Sequence, residues 1–212
     1  MLYYHSIFQR GLCKRLHFED TDMKKLAVFF PGIGYSMERP LLYFSRKLVE
    51  AEEWETFFLK FTNFPKGVRG DKAKMQECVR IAYEQTRQQL ASVDFSVYDR
   101  VVFVAKSIGT AAAVRYAAAE VPGAFLVLYT PVEATFASGP MGRGIAFLGD
   151  RDPWSDVELV KQLAEEKGIP LYMYEGCNHS LETGDVLKDI RILEGVMGKT
   201  SSWMEKMVDD RT

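Results

Sequence analysis

From Leu26 onward the chain alternates short apolar runs with stretches of helical spacing. Leu26–Phe30 (LAVFF) is an apolar run stopped by Pro31-Gly32 and reads as a buried strand. Leu41, Phe44, Leu48 and Val49 then recur on one helical face. Glu55–Phe61 (ETFFLKF) reads as the next strand, and a polar loop from Asn63 to Gly70 follows. A long helix comes after it, with Met75, Val79, Ala82 and Leu90 on one side. Arg100–Ala105 (RVVFVA) has the continuous hydrophobicity of a strand buried on both faces. Ile108–Glu120 is rich in alanine and reads as a helix able to lie close to a sheet. Ala124–Thr130 and Gly144–Leu148 are two further strands.

Ser155 and Glu158 have the spacing of a capping box, opening a helix with Val157, Val160, Leu163 and Ala164 inward. Gly168 and Pro170 end that helix, and Pro170–Tyr174 reads as a strand. The last helical pattern carries Val186, Ile190, Leu193 and Met197, and Ser202 with Glu205 marks a further short helix. Leu2–Phe8 and Leu16–Glu19 read as a leading hairpin. Strand–helix alternation of this kind predicts an α/β fold: a mostly parallel sheet with helices on both faces and right-handed crossovers. In such sheets ligands bind in loops beyond the carboxyl ends of the strands.

Composition narrows the function classes. The 212 residues predict a single domain. Lys plus Arg number 27 against 29 Asp plus Glu, so no basic excess marks a nucleic-acid partner. Three histidines and three cysteines leave little for a metal cluster or disulfide scaffold. The N-terminal stretch is broken by His5, Ser6, Gln9 and Arg10 and does not read as a secretory leader. No run approaches the about 18 apolar residues of a membrane span. The expectation is a cytoplasmic protein without membrane contact, with Cys13, Cys78 and Cys177 as reduced thiols.

Two nucleotide motifs fail. Gly32-Ile33-Gly34 follows a strand, but Met37 stands where a dinucleotide fingerprint needs its third glycine. Lys106-Ser107 is preceded by VVFVA, without the glycines that expose backbone N–H groups to phosphate. No cofactor is therefore expected.

One constellation survives. Ala105-Lys106-Ser107-Ile108-Gly109 lies between a buried strand and an alanine-rich helix. A serine at a sharp strand-to-helix turn has its oxygen exposed above the sheet, and small flanking residues let the strained turn form. The competing reading is a serine that caps the helix. A nucleophilic serine needs a base, and the base an orienting carboxylate. Gly149-Asp150-Arg151-Asp152-Pro153 and Gly176-Cys177-Asn178-His179-Ser180 each follow a predicted strand, on the same edge of the sheet. His179 is the only histidine beyond Ser107. Its bland reading is an exposed loop residue.

This constellation resembles the α/β-hydrolase superfamily, in particular its small lidless serine hydrolases similar to dienelactone hydrolases. The resemblance covers about Leu26 to Met197. It implies Ser107 as nucleophile, His179 as general base and Asp152 as orienting acid, with Asp150 as the competing acid. It also implies an oxyanion hole from the N–H groups of Ile108 and of Ile33 in Pro31-Gly32-Ile33-Gly34, with Gly34 as the alternative donor. Dienelactone hydrolases carry cysteine at the elbow, so Ser107 points away from that substrate. The implied activity is hydrolysis of a small ester or thioester through an acyl-enzyme, with no metal or organic cofactor; the alternative is a non-catalytic protein of the same fold that binds a small ligand in the same pocket.

Pro131 to Arg143 spans thirteen residues between two strands, and a parallel crossover itself takes about a dozen. No cap domain fits there, so an open, shallow site is expected. Lys66, Arg69, Lys72, Lys106, Arg143 and Arg151 slightly outnumber Glu38, Asp71, Glu133 and Asp150 on the loops assigned to the active edge, which raises an anionic substrate as a hypothesis.

Overall fold

A computed structural model describes residues 23–138 and 142–209. The leading hairpin lies outside the described residues. Six strands form one sheet: β1 (Lys25–Phe30), β2 (Glu55–Phe58), β3 (Arg100–Lys106), β4 (Phe125–Tyr129), β5 (Gly144–Gly149) and β6 (Leu171–Tyr174). Their order is β2-β1-β3-β4-β5-β6, and every pair is parallel. Five helices cover it: α1 (Pro40–Ala51), α2 (Lys72–Leu90), α3 (Ile108–Glu120), α4 (Val157–Glu166) and α5 (Val186–Asp209). Ala82, Ala112 and Val160 of α2, α3 and α4 pack on one face with Phe103 and Leu128. Leu42 and Val196 of α1 and α5 pack on the other with Phe29 and Phe147.

The chain runs outward from β1 to β2 and returns to β3 on the other side of β1. The loops leaving β1 and β3 therefore diverge to opposite faces and open a crevice at that switch point. Close packing at this point depends on Gly109. A Cβ there would meet the carbonyl oxygens of Pro31 and Phe30 at 2.5 and 2.6 Å.

Several elements differ from the sequence reading, each for a visible reason. β2 stops at Phe58 rather than Phe61, because the next peptide groups pair with α2 side chains. Lys60 N–H donates to Gln89 Oε1 at 3.0 Å and Thr62 N–H to Gln85 Oε1 at 2.9 Å. The side-chain amides of both glutamines donate back to the same residues' carbonyls. Asp156, not Ser155, caps α4, accepting from Leu159 N–H at 3.1 Å. Ser155 Oγ donates instead to the Pro131 carbonyl. Ser202 and Glu205 open no separate helix, because α5 continues through them. Val196, Met204 and Met207 are all buried against the sheet and hold that helix down to its last turns. Phe44, expected inward, is 43% exposed. Ser45 takes the inner position on α1 and meets the Tyr129 hydroxyl at 2.8 Å.

The connection from β4 to β5 contains a 3-10 turn, Glu133–Ala137. Among the described residues no helix is long and apolar enough to cross a membrane.

Candidate active site

Four loops meet above the carboxyl ends of β1, β3, β5 and β6. Ser107 follows β3 directly, at φ 56° and ψ −125°. A non-glycine residue is held there only by its surroundings. Its side chain makes no cap bond to α3. The capping reading of Ser107 is thus not what the structure has: Oγ lies 2.7 Å from His179 Nε2. On the other side of the ring, Nδ1 lies 2.6 Å from Asp152 Oδ2. A carboxylate accepts only, so Nδ1 carries the proton and donates. In the neutral ring Nε2 then accepts from the Ser107 hydroxyl.

The loops are braced to hold this chain. Asp152 has its side chain fully buried, and Oδ1 accepts from Trp154 N–H at 2.9 Å. Trp154 also stacks on the His179 ring, with centroids 5.5 Å apart and planes 25° apart. Asp150 lies outside the chain of contacts from Ser107 to Asp152. Its Oδ1 accepts from Gly176 N–H at 2.6 Å, tying the loop after β5 to the loop that carries His179. Arg151 N–H donates to the Cys177 carbonyl at 3.0 Å and reinforces the tie. Asn178 closes the His179 loop, its Oδ1 accepting from Ser180 N–H at 2.7 Å. Cys177 is buried beneath that loop, and burial pushes its thiol up.

Of the remaining predicted residues, Ile33 and Gly34 border the same space. Gly32 and Tyr35 exchange backbone hydrogen bonds, leaving Ile33 and Gly34 at the tip of a tight turn. Gly34 takes φ 69°, a conformation that favours glycine. Ile108 is the first residue of α3, where N–H groups have no carbonyl one turn earlier. Ile33, Gly34, Ser107 and His179 line a cleft of about 350 Å³. No described residue from 131–143 lines it. Ser107 is 6% exposed.

Electrostatics favour a neutral His179 ring. Burial pulls His179 below its ordinary range, the Asp152 hydrogen bond pulls it up, and the charge of Lys106 pulls it down again. Lys106 itself corrects the sequence reading. It is the last residue of β3 and wholly buried, not a loop charge. Arg143 precedes β5 and lies at the opposite edge of the sheet. Of the six cations assigned to the active edge, only Lys106 lines the cleft, where Arg39 joins it. Tyr35, Trp154 and Arg39 also went unnoticed as cleft residues. For Lys106 a signal existed: Val102, Val104 and Lys106 alternate along one face of β3. Among the described residues no group of three His, Cys, Asp or Glu side chains is arranged to hold a metal ion.

No protein-family model matches the sequence, and no curated protein matches it either. Solved structures do match the fold. A lidless α/β serine hydrolase of Xanthomonas campestris is 17% identical, with TM-score 0.56 over 87% of this chain and 84% of that one. An esterase of Pyrococcus furiosus is 14% identical, with TM-score 0.60 over 87% and 83%. An α/β serine hydrolase homologue of Coxiella burnetii is 17% identical, with TM-score 0.60 over 84% and 87%. The chain has the α/β-hydrolase fold.

Proposed function

We propose that the protein is a serine hydrolase that cleaves a small carboxylic ester or thioester through an acyl-enzyme. The observation that carries this reading is the hydrogen-bonded chain from Ser107 Oγ through His179 to Asp152, at 2.7 and 2.6 Å. Ser107 attacks the carbonyl carbon as His179 Nε2 takes its proton. Asp152 holds the ring in the Nδ1–H tautomer and stabilises the imidazolium that forms. The N–H groups of Ile108 and Ile33, with Gly34 as the alternative to Ile33, stabilise the oxyanion. His179 then returns the proton to the leaving alcohol or thiol. Water, activated by the same nitrogen, attacks the acyl-enzyme and releases the acid.

The strained φ of Ser107 supports the same reading, since a serine serving only as a helix cap needs no left-handed backbone. A fluorophosphonate probe tests it together with a panel of acyl esters and thioesters. Wild type labels and turns over at least one class of substrate, and Ser107→Ala does neither. Absence of labelling in the wild type, under conditions where control esterases react, overturns the proposal.

A further inference from the structure

Lys106 stands immediately before Ser107 and is completely buried. Its Nζ donates to Thr130 Oγ1 at 2.5 Å and lies 4.8 Å from the centroid of the Tyr35 ring. No described carboxylate forms an ion pair with it. Thr130, its hydrogen-bond acceptor among the described residues, sits at φ 43°, a conformation a non-glycine residue rarely takes. An apolar residue at this position would need none of these arrangements. The charged and titratable groups that share the space around Lys106 come from every neighbouring loop: Tyr35 and Arg39 after β1, Asp152 after β5, and His179 and Glu182 after β6.

We propose that Lys106 is a positioning residue whose buried ammonium, set beside the Ser107–His179 pair, keeps His179 unprotonated and ready to act as base. The role of His179 as base is the reading given under the proposed function, and this inference rests on it. The physical argument is one of like charges in a dry place. An imidazolium at position 179 and an ammonium at position 106 repel strongly because little water screens them. The ring is already poorly solvated under the Trp154 indole, and the lysine charge pushes it further in the same direction. Asp152 opposes both, so that the ring keeps its orientation without becoming a permanent cation. Burial also lowers Lys106 itself to about 7. The cationic wall beneath the cleft is therefore present in acid solution and fades as pH rises through neutrality.

Imidazole resonances of His179 followed by NMR from about pH 4 to pH 10 read this directly. The chain has only three histidines, so a His179→Gln control assigns the signal. In Lys106→Met the titration of His179 moves to higher pH, and the acid limb of fluorophosphonate labelling moves with it, with a several-fold loss of labelling rate on the acid side. Lys106→Arg, which keeps the charge, keeps the low titration. In the wild type alone, the His179 carbons show a second inflection near neutrality as Lys106 loses its proton, which needs no variant to fold. A His179 titration identical in wild type and Lys106→Met overturns the inference, as does a wild-type profile with one inflection. Failure of labelling in the wild type would overturn the hydrolase reading while leaving the imidazole titration to judge Lys106.

Discussion

Replacing Lys106 by methionine stabilises the protein, and the gain shrinks as pH rises. Burial lowers the lysine from its ordinary 10.5 to about 7. At about 1.4 kcal/mol per pH unit, that depression corresponds to about 5 kcal/mol of penalty for keeping the charged form folded. Methionine has a similar length and no charge to desolvate. It leaves the Thr130 hydroxyl without its partner, which returns about 1 kcal/mol. Relaxation and water entry around a buried charge reduce the penalty further, so the net gain near pH 7 is about 2–4 kcal/mol. The pH dependence has a definite sign. Between the folded and unfolded values of Lys106 the unfolded chain binds more protons, so wild-type stability rises with pH. From pH 7 to about pH 9.5 this recovers about 3 kcal/mol, and the two proteins converge. Buried tyrosines and thiols titrate alike in both and cancel in the difference. Urea unfolding at the two pH values measures the gap. A Lys106→Met protein less stable than wild type at pH 7, or a gap unchanged at pH 9.5, refutes the reasoning.

Asp152→Asn frees the ring to flip its tautomer and lowers kcat by about three orders of magnitude. Asp150→Asn, which loosens only the tie to Gly176, keeps kcat within about tenfold while lowering Tm; steady-state assays on the best ester separate the two. Because burial holds His179 below its ordinary 6.5, the base stays unprotonated into mildly acidic solution, and the acid limb of kcat/KM falls below that value. Gly109→Ala forces a Cβ onto the carbonyls of Phe30 and Pro31, and thermal unfolding reads a loss of about 3 kcal/mol.

Ser107 could be found in the sequence because its signal is local: a buried strand, a serine and a small-residue helix in succession. His179 stood out through scarcity. The choice between Asp150 and Asp152 was different in kind. Both lie in one short loop, and which of them meets the ring depends on the loop after β6 being tied by Gly176 and Cys177, a contact between segments far apart in sequence. The Gly149-x-x-Asp152 spacing points to Asp152 only through the family resemblance, and the contact itself is not local. The end of β2 was hidden for a similar reason, since two glutamines of α2 replace the strand's hydrogen bonds. Lys106 reads as a loop residue because the apolar run stops at Ala105, while the strand continues one residue further.

That extra residue bears on how an open site works. Enzymes that must keep water from a general base commonly close a lid over it. Here no described residue from the β4–β5 connection lines the cleft. The polar chain is desolvated from below and from the side instead. Asp152 is sealed under the loop it caps, Trp154 covers one face of the imidazole, and Lys106 lies beneath with Tyr35 over its ammonium. Ser107 and His179 border the cleft. A floor of this kind leaves the imidazole largely desolvated before any substrate arrives, so little substrate bulk is needed to expel water. Its demand falls on the reacting carbonyl, which must reach Ser107, while the rest of the molecule is free to project into solvent. On the proposed reading, a small ester or thioester fits that geometry, and long chains that need enclosing walls do not.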